Sequence, residues 1–207
     1  MKHLALCLIL EHLKKKDTPF CVIDAHGGIG LYDLTSEQAQ KTREYEGGIG
    51  RFQDTDTDGD FALYHDLVKE DLKGGLYPGS PLLAAKMLRA QDRMIANELH
   101  RDDVETLKES LYRFRNVRVT HMDAYECIRA NIPPAEKRGL VLIDPPFEKT
   151  DEFETLSRQM QEWKKRFANG VYLLWYPIKA HLRIDPMKQA ATMLGLPRTW
   201  CVESLLY

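Results

Sequence analysis

The chain has few cysteines, and their spacing excludes two common classes of small protein. Its 207 residues include four cysteines that form no CxxC pair: Cys7, Cys21, Cys127 and Cys201. Three of them lie within apolar patterns, which is typical of inert thiols buried in a reducing compartment. We therefore predict neither a disulfide framework nor a zinc site, and no metal cofactor.

Strong net charge and long apolar runs are also lacking. The formal net charge is −2, so the chain as a whole has no electrostatic signature of a nucleic-acid-binding protein. The apolar segment at residues 4–10 is followed by Glu11, His12 and three lysines, without the small-residue cleavage site of a signal peptide. Because no segment is long enough to span a bilayer, we predict a cytoplasmic protein without membrane contact.

What the chain does contain is a regular alternation of strand-like and helix-like segments. The predicted strands are 20–24, 94–98, 117–121, 139–144, 170–176 and, more weakly, 199–205. The predicted helices are 2–15, 81–89, 102–113, 124–131, 151–167 and 184–194. This alternation predicts an α/β fold with a parallel sheet covered on both faces.

One connection is much longer than a strand-to-helix turn requires. Residues 31–77 show no strand pattern, but two helical stretches at 36–52 and 61–72 are separated by a turn-rich acidic segment. We predict a single domain over residues 1–207, in which 31–77 form a helical insertion over the ligand edge of the sheet.

The segment Asp144-Pro145-Pro146-Phe147 follows the apolar run of the fourth predicted strand. Two prolines end a strand, so Asp144 is expected at the carboxyl edge of the sheet, where open α/β folds bind ligands. The Asp144 carboxylate and the Pro145 carbonyl can accept both hydrogens of a planar amine such as that of adenine. Phe147 can stack on the base. A strand-terminating loop with a half-buried aspartate is the alternative.

Other polar signals follow the remaining predicted strands. Asp24 precedes the glycine-rich bend containing His26, which lacks GxGxxG spacing and so does not favour a dinucleotide. An acidic residue before such a bend is typical of S-adenosylmethionine (SAM) sites, although a tight turn without ligand explains it equally well. Glu98 can accept from ribose hydroxyls and Asp123 from an adenine amine. Helix capping explains Asp123 and Ser80 as well, and a contribution to a helix N-cap or a surface position explains Glu98.

These motifs together resemble one known family, the RlmJ-type bacterial rRNA adenine-N6 methyltransferases. The resemblance is carried by four segments and extends over nearly the whole chain: D-A-H-G-G-I-G from Asp24, Y-P-G-S-P from Tyr77, N-E-L-H from Asn97 and L-I-D-P-P-F from Leu142. A fifth match, L-W-Y-P, begins at Leu174. Members of this family use SAM to methylate one adenosine of 23S ribosomal RNA.

The resemblance implies a Rossmann-like SAM-dependent methyltransferase fold with a helical insertion after the first strand. It implies catalytic roles for Asp144, Pro145 and Phe147. It implies that a set of six residues contacts the cofactor: His3, His26, Ser80, Glu98, Asp123 and Ala124. Lys2 matches the family's lysine beside the N-terminal histidine.

Two departures from the family pattern are visible. Phe147 stands where many members have tyrosine, which keeps the stacking surface and removes a hydroxyl. The family pattern has further residues before Lys2 and after Tyr207, so our hypothesis is a shortened member, without those N- and C-terminal extensions, in which cofactor binding is weakened and turnover is doubtful.

The predicted function is therefore SAM-dependent methylation of an adenine N6 in 23S rRNA by a monomer. Adenine-N6 methylation of DNA, or a role in the use of external DNA, is one alternative, because a flipped adenine looks alike in either polymer. A non-catalytic remnant that binds SAM or nucleic acid is the other.

Overall fold

The computed structural model of the chain describes residues 2–36, 59–147, 152–176, 199 and 201–202. Two sequence predictions, the helix at 184–194 and the helix at 36–52 apart from its first residue, lie outside these residues, as does most of the strand at 199–205. The described strands are β1 Cys21–Asp24, β2 Leu31–Asp33, β3 Leu76–Pro78, β4 Arg93–Asn97, β5 Val117–Thr120, β6 Gly139–Ile143 and β7 Val171–Leu174. The described helices are α1 Lys2–Lys14, α2 Asp60–Lys73, α3 Ser80–Met87, α4 Arg101–Leu111, α5 Ala124–Asn131 and α6 Glu152–Arg166.

Five of the strands form one parallel sheet in the order β5-β4-β1-β6-β7. The central strand β1 is buried along its full length, including Asp24 at its end, as expected for a parallel strand that is covered on both faces. Cys21 of β1 lies opposite Gly139 of β6, and a Cβ at Gly139 would come within 2.2 Å of the Cys21 carbonyl oxygen. The predicted parallel α/β sheet is confirmed. Its carboxyl edge collects the ends of β1, β4, β5 and β6.

The prediction that residues 31–77 contain no strand is wrong at both ends of that segment. β2 and β3 pair antiparallel, with Tyr32 opposite Tyr77. Each strand is only three residues long, and neither alternates apolar and polar residues clearly enough to be found by periodicity. The pairing forms because the chain returns across the insertion, which no local pattern reports.

Helices cover both faces of the sheet and divide the core into two clusters. On one face, α1, α2, α3 and α4 contribute a set of fully buried side chains that includes Leu6, Val68, Leu83 and Leu107. On the other face, α5 and α6 pack Ile128, Leu156 and Trp163 against the sheet. Within the described ranges, no helix is long and apolar enough to cross a membrane.

Candidate active site

The turn after β1 is fixed by backbone contacts to the neighbouring strand. The Gly27 N–H donates to the Asn97 carbonyl of β4 over 2.7 Å, and a Cβ at Gly27 would lie 3.2 Å from the same oxygen. Gly28 follows with a φ of +60°, a conformation that glycine adopts without strain. The Asn97 side chain holds the turn as well, because its amide donates to the carbonyl of Ala25 over 3.2 Å. The glycine-rich bend is thus clamped to β4.

Asp24 is the last residue of β1 and is 1% exposed. One carboxylate oxygen accepts the His26 N–H over 3.3 Å, whereas the other, Oδ2, has no hydrogen-bond partner among the described residues. Burial raises the pKa of Asp24 to about 6, and the nearby Ser80 hydroxyl and His26 N–H oppose this rise. A buried acceptor without a donor is costly, so this oxygen is a candidate ligand contact.

Glu98, directly after β4, is also buried, but its carboxylate is well satisfied by backbone amides. Oε2 accepts the Gly28 N–H over 2.8 Å. Oε1 accepts the N–H groups of Leu99 and His100 over 2.7 and 2.9 Å. Because a carboxylate offers about four acceptor positions, roughly one remains for a cofactor hydroxyl. Glu98 therefore joins the glycine bend to the loop after β4.

Asp144 lies directly after β6 and contacts both helix α1 and the turn after β1. Its carboxylate forms an ion pair with the Lys2 ammonium of α1, in which both side chains are 24% exposed. Its backbone N–H donates to Nδ1 of His26 over 3.2 Å. The turn after β1 and the Asp-Pro-Pro segment thus meet at one edge of the sheet.

Two histidines at this edge are held in the neutral form. Burial lowers the pKa of His3 to about 3, and the positive charge of Lys2 adds to the effect. Burial also lowers the pKa of His26, against the opposing influence of Asp144 and Glu98. Because Nδ1 of His26 accepts the Asp144 N–H, the His26 proton is on Nε2.

A cavity of about 250 Å³ lies between these elements. Its lining combines predicted site residues with tyrosines and glycines: Lys2, His3, His26, Gly27, Tyr32, Tyr77, Gly79, Ser80 and Asp144. The structure thus brings His3, His26, Ser80 and Asp144 together. The other predicted site residues, Glu98, Asp123, Ala124, Pro145 and Phe147, do not line the cavity.

Asp123 and Ala124 begin helix α5 at the neighbouring strand end. The Asp123 carboxylate accepts the N–H groups of Tyr125 and Glu126 over 2.9 and 3.1 Å, so it is an N-cap. Ala124 is the first helical residue and packs against the second core cluster. Asp123 is exposed, so its second oxygen is accessible from solvent.

Phe147 is directed into the core in this structure. It is 4% exposed, and its ring stacks on that of Phe153 with centroids 4.6 Å apart. Its φ of +53° is uncommon for a bulky residue. Pro145 is buried beside it, and Pro146 is exposed.

Sequence reasoning assigned no role to Asn97, Tyr32 or the Tyr77 hydroxyl. Asn97 is fully buried, and it accepts from the Thr120 hydroxyl over 2.9 Å in addition to its contact with the turn. The Tyr32 hydroxyl would lie 2.2 Å from a Cβ at Gly28, so its ring covers the glycine bend. Asn97 and Tyr77 stand in the quoted motifs, which could have identified them; Tyr32 had no such signal.

Comparison with solved structures identifies the fold. A human structure titled "methyltransferase 10 domain containing protein" is 15% identical, with a TM-score of 0.53, and covers 95% of this chain and 72% of that one. A crystal structure of a Legionella pneumophila protein is 31% identical, with a TM-score of 0.79, and covers 94% of this chain and 70% of that one. The fold is Rossmann-like and is shared with methyltransferases, as predicted.

The family follows from the sequence comparisons. A family model described as "Ribosomal RNA large subunit methyltransferase D, RlmJ" matches residues 17–204. The chain belongs to this RlmJ family, which confirms the resemblance found in its motifs. Proteins named ribosomal RNA large subunit methyltransferase J are 44% identical over 183 residues in Haemophilus influenzae and 38% identical over 207 residues in Escherichia coli. The matches cover 86% and 98% of this chain, and 65% and 74% of those proteins.

Proposed function

We propose that the protein transfers a methyl group from SAM to the N6 amine of an adenine in 23S ribosomal RNA. The observation that carries this proposal is the position of Asp144: its carboxylate lines the same cavity as His3, His26 and Ser80. Family membership and the names of the relatives support an RNA substrate. The activity assigned to the whole protein rests on relatives that are longer than this chain.

The residues around the cavity fit SAM in two respects. The unpartnered Oδ2 of buried Asp24 offers an acceptor near Ser80, which suits the ammonium of an amino-acid moiety. Gly79, the residue before Ser80, lets the Tyr32 ring form the adjoining aromatic wall of the cavity, because a Cβ at Gly79 would lie 2.9 Å from that ring. His3, His26, Ser80 and Glu98 would hold the cofactor, with Asp123 and Ala124 at the adenine end.

When bound, SAM supplies an electrophilic methyl group on a sulfonium. The chain's own task is to improve a poor nucleophile, because the adenine amine lone pair is delocalised into the ring. Asp144 accepts one amine hydrogen and the Pro145 carbonyl accepts the other, which favours a pyramidal nitrogen with its lone pair directed at the methyl group. On methylation the amine nitrogen would have to lose a proton, which the Asp144 carboxylate would be placed to receive.

Lys2 and Phe147 have to change their contacts for this chemistry. Lys2 occupies the Asp144 carboxylate with its ammonium, so an incoming amine shares or replaces that contact. Stacking of Phe147 on the base requires its ring to leave the Phe153 contact, because only 4% of Phe147 is exposed here.

The proposal also includes the domain organisation, the oligomeric state and the cellular location of the protein. The chain acts as a single methyltransferase domain with residues 31–77 as an insertion, and as a monomer. The proposed ribosomal RNA substrate supports a cytoplasmic location. No group of three or more metal-ligating side chains occurs within the described ranges, and the proposed chemistry uses none.

The test is tritiated methyl transfer from SAM to three acceptors: 23S rRNA from a methylation-deficient strain, the same RNA from a methylated strain, and unmethylated DNA. Label in the first acceptor alone, recovered as N6-methyladenosine, supports the proposal. Label in DNA selects the DNA alternative. SAM binding without transfer to any polymer selects a non-catalytic remnant.

A further inference from the structure

Three side chains form a hydrogen-bonded row beside the cavity. Nδ1 of His3 contacts the hydroxyl of Tyr77, and the Tyr77 hydroxyl lies 3.0 Å from that of Tyr64. The His3 and Tyr77 rings have centroids 5.5 Å apart. His3 and Tyr77 line the cavity, whereas Tyr64 is 6% exposed and belongs to the apolar core. The row therefore leads from the core to the predicted cofactor position.

The number of protons in this row determines which ring nitrogen of His3 is protonated. A neutral imidazole carries its proton on one ring nitrogen and offers the other as an acceptor. Burial lowers the pKa of His3 to about 3, so the ring is neutral at physiological pH. If the single Tyr77 hydrogen is donated to Nδ1 of His3, the proton of His3 must be on Nε2. The Tyr77 oxygen is then free to accept from Tyr64.

The contact between the two tyrosines fits this direction. Burial raises the pKa of both hydroxyls, so each keeps its proton at neutral pH. The two oxygens lie 3.0 Å apart, and either hydroxyl can be the donor. With Tyr64 as the donor, the Tyr77 oxygen accepts and the proton of Tyr77 is available to His3.

The fold holds the Tyr77 hydroxyl in this position through β3. Tyr77 is the middle residue of that strand and pairs with Tyr32 of β2, and Pro78 after it restricts the backbone. The Gly79 N–H donates to the Gly30 carbonyl over 2.8 Å, which joins β3 to the turn after β1. The antiparallel pairing of β2 and β3 therefore determines where the Tyr77 hydroxyl meets His3.

We propose that Tyr77 is a positioning residue that fixes His3 as the Nε2–H tautomer, so that His3 presents an N–H donor to an oxygen acceptor of the cofactor. Nε2 has no hydrogen-bond partner in the part of the chain that the structure describes, and His3 lines the cavity. Tyr64 orients Tyr77 one step further away. This inference rests on the proposed SAM function and adds two tyrosines to it.

The direct test is ¹⁵N NMR of the histidine ring nitrogens in the cofactor-free protein, with His3→Gln to assign the His3 signals among the seven histidines. The wild type is expected to show Nε2–H at His3, and Tyr77→Phe a mixture of both tautomers. Protonation of Nδ1 in the wild type would overturn the proposal, because Tyr77 would then be the acceptor and Nε2 could not donate.

Isothermal titration with SAM provides the functional readout. Tyr77→Phe should weaken binding about fivefold, as expected for one lost hydrogen bond, and Tyr64→Phe about twofold. Tyr172→Phe is the matched control, because within the described ranges that hydroxyl donates to the carbonyls of Trp163 and Phe167, which do not line the cavity. Its affinity should equal that of the wild type.

A double-mutant cycle separates positioning from general disturbance of the fold. In a His3→Ala background, Tyr77→Phe should have no further effect on affinity, because its target is gone. An equal loss with and without His3, or no loss beyond that of the Tyr172 control, contradicts the proposal. Failure of the wild type to bind SAM would reject the proposed function instead, and the NMR result in the free protein would still test Tyr77.

Discussion

Two carboxylates at the carboxyl edge of the sheet are used in opposite ways. Glu98 accepts three backbone N–H groups and is 8% exposed. The Asp144 side chain is 24% exposed, and its ion pair with Lys2 is its only hydrogen-bonded contact within the described ranges. The first group is committed to the protein's own backbone, whereas the second keeps most of its acceptor positions available.

The difference indicates that Glu98 has mainly a structural role and that Asp144 is available for the reaction. Glu98 holds the glycine bend against the loop after β4, so its loss disturbs the shape of the cofactor side of the cleft. Asp144 holds little of the fold in place, so its loss affects the acceptor base. A carboxylate can serve both purposes only when its acceptor positions are divided between protein and ligand. The following variants test this division, beginning with the largest expected effect.

Asp144→Ala should lower the rate of methyl transfer by about 10²–10³-fold, because it removes an acceptor aligned with the reacting amine. SAM affinity and thermal stability should stay close to wild type. Single-turnover transfer to undermethylated 23S rRNA, with SAM titration in parallel, measures both quantities. Loss of cofactor affinity with normal turnover would place Asp144 on the cofactor side instead.

Asp24→Asn tests a third carboxylate, which is buried like Glu98 but only half satisfied. Its pKa of about 6, against an ordinary 3.8, means that wild-type stability falls as the pH rises through this interval. The cofactor-free variant lacks this loss and should be more stable at pH 7 by about 3 kcal/mol, since each pKa unit corresponds to about 1.4 kcal/mol.

Urea unfolding of the cofactor-free Asp24→Asn variant and wild type across pH 3.5–8 provides the measurement. The two proteins should converge below about pH 4, where both carry a neutral side chain. A constant difference at every pH would show that packing, not ionisation, distinguishes them. The variant should also bind SAM more weakly if Oδ2 is the acceptor for its ammonium.

Glu98→Ala should raise the dissociation constant for SAM roughly tenfold and destabilise the protein by about 2 kcal/mol, because three N–H groups lose their acceptor. The transfer rate at saturating SAM should change less than in Asp144→Ala. Glu98→Gln, which keeps an acceptor oxygen, is the control and should recover part of the stability. Wild-type affinity in Glu98→Ala would remove the residue from the cofactor side.

Asp123→Ala should cost about 1 kcal/mol of stability through loss of the N-cap of α5. Asp123→Asn should retain the cap, since asparagine is an equally good capping residue. If Asp123 also receives the cofactor adenine amine, Asp123→Ala weakens SAM binding beyond the cap effect. Thermal denaturation and SAM titration of both variants decide between these roles.

Local patterns were sufficient for the strands that carry the site. The apolar run before Asp144 and the two prolines after it placed that carboxylate at the end of a buried strand, as observed in β6. Capping at Asp123 followed from the same local rules and is confirmed by its two N–H contacts. The position of His3 in the cleft came from the family resemblance, because a lone histidine on a helix has no local signal.

The sequence alone determined the alternation of strands and helices, and hence the edge at which acidic and glycine-rich ends gather. Only the tertiary structure decided which polar groups have hydrogen-bond partners there. Backbone amides satisfy Glu98, whereas only one of the two Asp24 carboxylate oxygens has a partner among the described residues. Asp144 is paired with a lysine that lies 142 positions away in the sequence. It also decided that Tyr77 contacts His3, because β3 pairs with β2 across the long connection between them. Helix and strand periodicity depends on near neighbours in the chain, whereas hydrogen-bond saturation depends on groups that become neighbours only after folding.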